Sequence, residues 1–165
     1  MSRTIRKCDI RLQVSKWLHQ FLSDRYKNAS VMVLDSSRTK LSKILFNQGL
    51  SKYFPYYKSF DFQPDITGIV EFNNTIALAL VEIENKTITL RDIGPFVEYC
   101  KIVAPQYALF LTPFGISDSL HQLLKTFGKY DLLEYVKYRR VIIANWDPSK
   151  RDLDYFSILP PGELR

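Results

Sequence analysis

Apolar residues recur along the chain with two periods, which predict alternating helices and strands. Spacing of three and four residues predicts helices at 9–26, 39–50, 89–103 and 117–127. Short apolar runs rich in β-branched and aromatic residues predict strands at 31–34, 62–72, 75–84, 106–112 and 138–146. Residues 131–136 fit a helix or a strand. Helices between strands are typical of an α/β fold, and we expect a central mixed β-sheet flanked by helices.

The hairpin formed by 62–72 and 75–84 has a register that can be inferred from its turn. Asn73 and Asn74 suit a two-residue turn, because asparagine tolerates the positive φ that tight hairpin turns require. Without a bulge, paired residue numbers sum to 147. This register places Asp65 opposite Glu82, where the hairpin ends.

Charged side chains are expected to gather at this end of the hairpin. Because side chains alternate along a strand, Glu82, Glu84 and Lys86 share a face, and Asp65 joins them. Acids facing each other on a buried strand repel, and a divalent cation, a raised pKa or an ion pair with Lys86 would each offset the repulsion. We interpret the cluster as a metal site. The alternative is a solvated strand end in which Lys86 neutralises a glutamate.

Pro64-Asp65, a hydrophobic strand and then Glu84-Asn85-Lys86 resemble the signature of the PD-(D/E)XK, or restriction-endonuclease-like, nuclease superfamily. The order of elements is similar too, since the family core is a helix, a three-strand meander carrying the motif, a helix and a further strand. The resemblance spans about 38–113. It implies a restriction-endonuclease-like core, which we place at about 38–146, with the helix at 9–26 packed on it and one domain over 1–165.

The resemblance also implies the chemistry of the site. Asp65 and Glu84 would bind Mg²⁺, with Mn²⁺ able to substitute, helped by the backbone carbonyl of Asn85. Lys86 would position or activate the attacking water, and Glu82 could complete a second metal's ligand set or tune the first. Many members of the superfamily carry a further glutamate on the helix before the meander, whereas this chain has no glutamate before residue 71.

The charge balance favours a polyanionic partner. Lysine and arginine outnumber aspartate and glutamate by 23 to 17, which gives a formal charge of +6. The densest basic cluster lies in the C-terminal third and is the predicted nucleic-acid-binding set: Lys137, Arg139, Arg140, Lys150 and Arg151. The alternative for this cluster is a solvated edge. A basic N-terminal arm, also open to both interpretations, comprises Arg3, Arg6, Lys7 and Arg11.

Composition narrows the class of protein. The chain of 165 residues is 46% hydrophobic and 24% charged, as in ordinary globular domains. No apolar run is long enough to span a bilayer and no signal segment begins the chain, so we expect a cytoplasmic protein without a membrane partner.

Three functions are consistent with these features of the sequence. The first is a Mg²⁺-dependent nuclease that hydrolyses phosphodiester bonds, with a DNA endonuclease favoured over an enzyme acting on RNA. The second is a catalytically inactive module of the same fold that binds nucleic acid or scaffolds a larger complex. The third is a protein-interaction domain whose acidic cluster is structural. A homodimer is an open alternative for each.

Overall fold

A six-stranded mixed sheet with helices on both faces forms the body of the protein, in a computed structural model that describes residues 4–164. The helices are α1 (Lys7–Arg25), α2 (Leu41–Asn47), α3 (Leu90–Val103) and α4 (Asp118–His121). The strands are β1 (Ser30–Asp35), β2 (Ile66–Phe72), β3 (Thr75–Ile83), β4 (Tyr107–Thr112), β5 (Glu134–Val136), β6 (Arg139–Arg140), β7 (Ile142–Asp147) and β8 (Asp152–Leu159). Within the described residues, no helix combines the length and apolarity needed to cross a membrane.

The strand order of the sheet is β1-β2-β3-β4-β7-β8. β1, β2 and β3 form an antiparallel meander, β3, β4 and β7 run parallel, and β8 returns antiparallel to β7. The parallel strands end together at one border of the sheet, which we call the carboxyl edge. Because β2 runs against β3, the start of β2 lies at this same edge.

Two hydrophobic layers cover the faces of the sheet. On one face α1 buries Ile10, Val14, Leu18 and Leu22 against strand residues such as Val81. On the other face α2, α3 and α4 pack over residues such as Leu80 and Phe110. Alternation along β3 explains the division, since consecutive side chains point to opposite faces. The predicted mixed α/β sheet flanked by helices is confirmed.

The predicted hairpin register is confirmed residue by residue. β2 and β3 pair from Ile66↔Val81 to Phe72↔Thr75, and every pair sums to 147. Asn73 and Asn74 have φ of 48° and 59°, as a tight turn between twisted strands requires. The ladder stops at Ile66, so Asp65 lies one residue outside it.

Other boundaries differ from the predictions. The first strand of the meander is β1, which begins at Ser30 and so before the predicted core boundary at 38. The helix that precedes the meander is α1. The predicted strand 138–146 is divided, because Tyr138 adopts φ 68° in a turn and the sheet strand begins at Ile142. β8 was not predicted.

The segment at 53–60, dense in aromatic residues, contains two short 3-10 turns. Phe60 is buried, and its ring contacts that of Phe54 edge-on at 6.1 Å. The segment therefore contributes to the core beneath α2.

Gly68 sets the distance between α1 and β2. A Cβ at this position would lie 2.8 Å from Cδ1 of Leu22 and 3.3 Å from Cδ2 of Leu18. Gly68→Ala should therefore lower the free energy of unfolding by about 1–3 kcal/mol, as overpacking of a filled core does. Urea unfolding measures this change. Gly94→Ala in α3 is the control, because its Cβ would meet nothing within 4 Å, and equal stability of the two variants would contradict the explanation.

Candidate active site

Asp65 is a buried acid at the carboxyl edge, held by three neighbouring groups. Only 5% of its surface is exposed. Its Oδ2 accepts a hydrogen bond from the Ile83 amide at 2.8 Å and lies 3.3 Å from Nζ of Lys7. Its carbonyl oxygen accepts from the Ser36 amide at 3.0 Å. The β2–β3 ladder ends at Ile66, so the Ile83 amide on β3 has no strand partner on β2. The Asp65 carboxylate accepts its hydrogen bond instead.

Glu82 is the second acid of the site and the direct neighbour of Asp65. Its Oε1 accepts a hydrogen bond from the Asp65 amide at 3.3 Å. Burial, then the negative charge of Asp65, raises the pKa of Glu82 to about 8, while Lys7 and the Asp65 amide act in the opposite direction. Glu84 adds a smaller repulsion. The carboxyl edge therefore holds two close acids whose joint ionisation is unfavourable.

Glu82 and Glu84 line an acidic cavity of about 220 Å³ on the α3 side of the sheet. The Glu84 amide donates to the carbonyl oxygen of Leu111 at 2.9 Å, which extends the pairing of β3 with β4. The walls are aromatic and include stacked rings of Phe62 and Tyr99, with centroids 4.2 Å apart. Burial and the nearby Glu82 charge raise the pKa of the Cys100 thiol, which belongs to the same layer.

Asn85 connects the end of β3 to the segment before α1. Its Nδ2 donates to the carbonyl oxygen of Ile5 at 3.2 Å. Its Oδ1 is buried and has no hydrogen-bond partner among the described residues. The resemblance assigned the backbone carbonyl of Asn85 to the metal, but the unpaired oxygen belongs to the side chain.

Lys86 is engaged away from the acid pair. Its Nζ lies 2.8 Å from Oδ1 of Asp92. The other oxygen of Asp92 accepts from the amide and hydroxyl of Thr89, which caps α3. The hydrogen bond to Asp92 raises the pKa of Lys86. Among residues 4–164, Lys86 has no ion pair within 4 Å with Asp65 or the hairpin glutamates, so the structure does not show the alternative in which Lys86 neutralises a glutamate through an ion pair.

Lys7 is the cation that sequence reasoning did not assign to the site. It begins α1 and reaches Asp65, which is 58 positions away in the chain. The other described members of the basic arm have separate partners, since Arg6 pairs with Asp9 at 3.1 Å and Arg11 with Asp35 at 3.2 Å. Arg3 lies outside the described residues. Only the packing of α1 on the sheet brings Lys7 to Asp65. In the sequence, Lys7 could be identified only as a member of the basic N-terminal arm.

The predicted nucleic-acid-binding residues fall into two groups at opposite edges of the sheet. Lys137, Arg139 and Arg140 precede β7, whereas Lys150 and Arg151 lie in the turn after it. Nη1 of Arg139 donates to the carbonyl oxygens of residues 104 and 105 at 3.3 and 3.4 Å, which supports the chain locally. Only the second group shares the carboxyl edge with Asp65.

The donor chemistry fits a magnesium ion held through few protein ligands. Among residues 4–164, no group of three or more His, Cys, Asp or Glu side chains is arranged to hold a metal. Mg²⁺ is usually bound through one or two carboxylates, waters and substrate phosphate, and it prefers oxygen donors. Asp65 and Glu82 supply two neighbouring carboxylates, since the Asp65 backbone amide donates to Glu82, and Oδ1 of Asn85 is a further oxygen at this end of β3 without a hydrogen-bond partner among residues 4–164.

Comparison of the chain with protein-family models, with curated proteins and with solved structures found no match.

Proposed function

We propose that the protein is a metal-dependent phosphodiesterase that hydrolyses nucleic acid, with a DNA endonuclease as the favoured activity. The observation that carries the proposal is the pairing of the buried Asp65 with Glu82 at the end of the β2–β3 hairpin. Two acids held this close are unfavourable without a cation, and a divalent ion with oxygen ligands offsets the repulsion.

The order of elements supports the same proposal. α1 is followed by the antiparallel β1, β2 and β3, then by α3 and the parallel β4. This is the order of the PD-(D/E)XK core, and the acid pair lies at the end of its meander. α2 is inserted between β1 and β2.

Each residue of the site has a distinct role in this proposal. Bound Mg²⁺ would lower the pKa of a water and neutralise charge that develops on the scissile phosphate. Asp65 and Glu82 would hold the ion, and the Ile83 amide fixes the orientation of Asp65. Glu84 would add negative charge beside them and attract further cations. Lys7, rather than the Lys86 of the resemblance, would be the lysine of the site and would present its ammonium group to the phosphate.

Two lysine variants test which ammonium group serves the site. Lys7→Gln should reduce the cleavage rate at saturating Mg²⁺ by about a hundredfold, because loss of one donor to developing charge costs about 10²–10³ in kcat. Lys86→Gln should stay within a few-fold of wild type, because Lys86 is bound to Asp92. Single-turnover cleavage measures both. The opposite ranking would assign the role to Lys86, as the motif alone predicts.

A cleavage panel tests the activity itself. Supercoiled, linear, single-stranded and branched DNA, together with RNA, are incubated with Mg²⁺, Mn²⁺ or EDTA. We expect cutting with either metal, none in EDTA, and none by Asp65→Asn. Folded wild-type protein that cuts no substrate would overturn the proposal.

A non-catalytic nucleic-acid-binding module is the second candidate, and the position of Lys7 favours it. The Lys7 ammonium, 3.3 Å from Asp65, already supplies positive charge where a metal would. Such a module would bind nucleic acid with strong salt dependence, and Mg²⁺ would leave its melting temperature unchanged because no ion binds the folded state. The nuclease should instead melt at a higher temperature in Mg²⁺ than in EDTA.

A further inference from the structure

A groove beside α1 combines positive charge with aromatic surface. It has a volume of about 480 Å³ and lies between α1 and the turn that joins β7 to β8. Lys16 and Trp17 line it from the helix, and Lys150 and Arg151 line it from the turn. We call this feature the α1 groove.

The cations of the α1 groove are available to an external anion. Among residues 4–164, none of Lys16, Lys150 and Arg151 is in an ion pair within 4 Å. All three residues are exposed. By contrast, Arg139 at the opposite edge donates to two backbone carbonyls. Of the two predicted basic groups, the one in the groove is therefore better suited to contact phosphates.

The carboxylates of the α1 groove have partners of their own. Asp9 pairs with the guanidinium of Arg6 at 3.1 Å. Oδ1 of Asp152 accepts from the hydroxyl of Tyr155 at 3.1 Å. Asp147, at the end of β7, also interacts electrostatically with Lys150. Lys16, Lys150 and Arg151 still outnumber the two lining carboxylates, Asp9 and Asp152, of which Asp9 is in an ion pair.

The aromatic part of the groove is held in place before any ligand arrives. Trp17 stacks on Phe21 with centroids 5.1 Å apart and meets Trp146 edge-on at 6.1 Å. Tyr155 is 54% exposed and adjoins the groove, since its hydroxyl donates to Oδ1 of the lining residue Asp152 at 3.1 Å, and it lies where the pairing of β7 with β8 shifts. A fixed ring loses little conformational freedom on stacking, which favours its use as a platform for a base.

The position of the groove relates it to the candidate active site. Lys150 and Arg151 follow β7 at the carboxyl edge, where Asp65 and Glu82 also lie. α1 connects the two places, since Lys7 contacts Asp65 and Lys16 follows about 14 Å further along the helix axis.

We infer that the α1 groove binds single-stranded nucleic acid and directs it along the carboxyl edge toward Asp65. Free lysines contact the phosphates and Tyr155 stacks on a base. A duplex is disfavoured because its base faces are already stacked and because the groove has the volume of a small-molecule pocket. The binding step is independent of catalysis, whereas delivery to Asp65 rests on the proposed function.

The first test measures binding in EDTA, where metal-dependent cutting is absent. Fluorescence anisotropy is recorded with a labelled 12-nucleotide DNA strand, the RNA strand of the same sequence and the DNA duplex, between 50 and 200 mM salt. Lys16→Gln/Lys150→Gln should weaken single-strand binding about tenfold and reduce the slope of log K against log salt by about 1.4, for two phosphate contacts. Lys125→Gln/Lys129→Gln, with the same change in charge at exposed positions outside the predicted binding set, should bind like wild type.

The second test separates stacking from charge. Tyr155→Ala should weaken single-strand binding about tenfold without altering the salt slope, and Tyr155→Phe, which keeps the ring, should bind like wild type. Tighter binding of the duplex, or equal losses in the two lysine double variants, would overturn the inference. If the protein binds single strands but cleaves no substrate, the proposed nuclease activity is overturned and the binding groove is not. If the groove variants cleave like wild type, the inference about the groove is overturned and the nuclease activity is not.

Discussion

Asp65→Asn is expected to abolish metal-dependent cleavage while the protein stays folded. Asparagine can still accept the hydrogen bond from the Ile83 amide, but it loses the charge that pairs with Lys7 and that would hold a divalent ion in the proposed site. Replacing even an outer partner of a metal ligand commonly costs 10- to 100-fold in affinity or activity, so loss of a direct ligand should exceed about a hundredfold. Single-turnover cleavage in Mg²⁺ measures the effect.

Asp61→Asn is the matched control for this substitution. Asp61 lies four residues earlier, is exposed, and pairs with Lys40 at the surface. Its variant should cut like wild type. Circular dichroism and melting temperature establish that Asp65→Asn is folded. Cleavage retained by a folded Asp65→Asn protein would remove Asp65 from the active site and, with it, the proposed reaction centre.

Glu82→Gln is expected to stabilise the metal-free protein at alkaline pH. Each pKa unit corresponds to about 1.4 kcal/mol, so the rise from 4.5 to about 8 sets an upper limit of about 5 kcal/mol on the cost of ionising Glu82 in the folded state. Glutamine keeps the acceptor for the Asp65 amide and carries no charge. We expect the melting temperature in EDTA at pH 8 to rise by about 5–10 °C, since coupling to Asp65 reduces the full effect.

The pH dependence of this gain has a definite sign. Because the folded-state pKa of Glu82 is above the value of 4.5 expected when unfolded, the folded protein binds more protons between pH 4.5 and 8, and its stability falls as pH rises through that window. The advantage of Glu82→Gln should therefore be small at pH 4.5 and full near pH 8. The groups that face Glu82 and set this behaviour are Asp65, Lys7, Glu84 and Cys100.

Glu71→Gln is the control, because Glu71 is an exposed acid on the same hairpin. Its melting curve should match wild type at every pH. Mg²⁺ should stabilise wild type but not Glu82→Gln, since the ion needs the ionised carboxylate. A Glu82→Gln protein that melts with wild type at pH 8 would contradict the account of a strained acid pair, and equal stabilisation by Mg²⁺ would remove Glu82 from the metal site.

The register of the β2–β3 hairpin was predicted correctly from the sequence. Its register follows from the Asn73-Asn74 turn and from alternation, both of which act between neighbours in the chain. The sequence therefore placed Asp65 beside Glu82 at the end of the hairpin, although the ladder itself stops at Ile66. The same local reasoning determined the buried face of α1, because helical spacing marks its apolar stripe.

The partners of the site's charged groups were decided by tertiary structure. Lys86 and Glu84 are two residues apart in the motif, yet Lys86 pairs with Asp92, which belongs to the capping arrangement of α3. Lys7 reaches Asp65 only because α1 packs across the sheet and begins at the carboxyl edge. A long charged side chain pairs with whichever opposite charge lies within a few ångströms. The local sequence pattern does not specify which residues distant in the chain come that close.

The sequence by itself thus determined the α/β class and the register of the β2–β3 hairpin, since these depend on periodicity and turn chemistry. The tertiary structure decided which lysine accompanies the acids, how the basic residues divide between the two edges, and where the α1 groove forms. These features depend on how α1, β7 and β8 pack together, and packing joins residues that share no local signal.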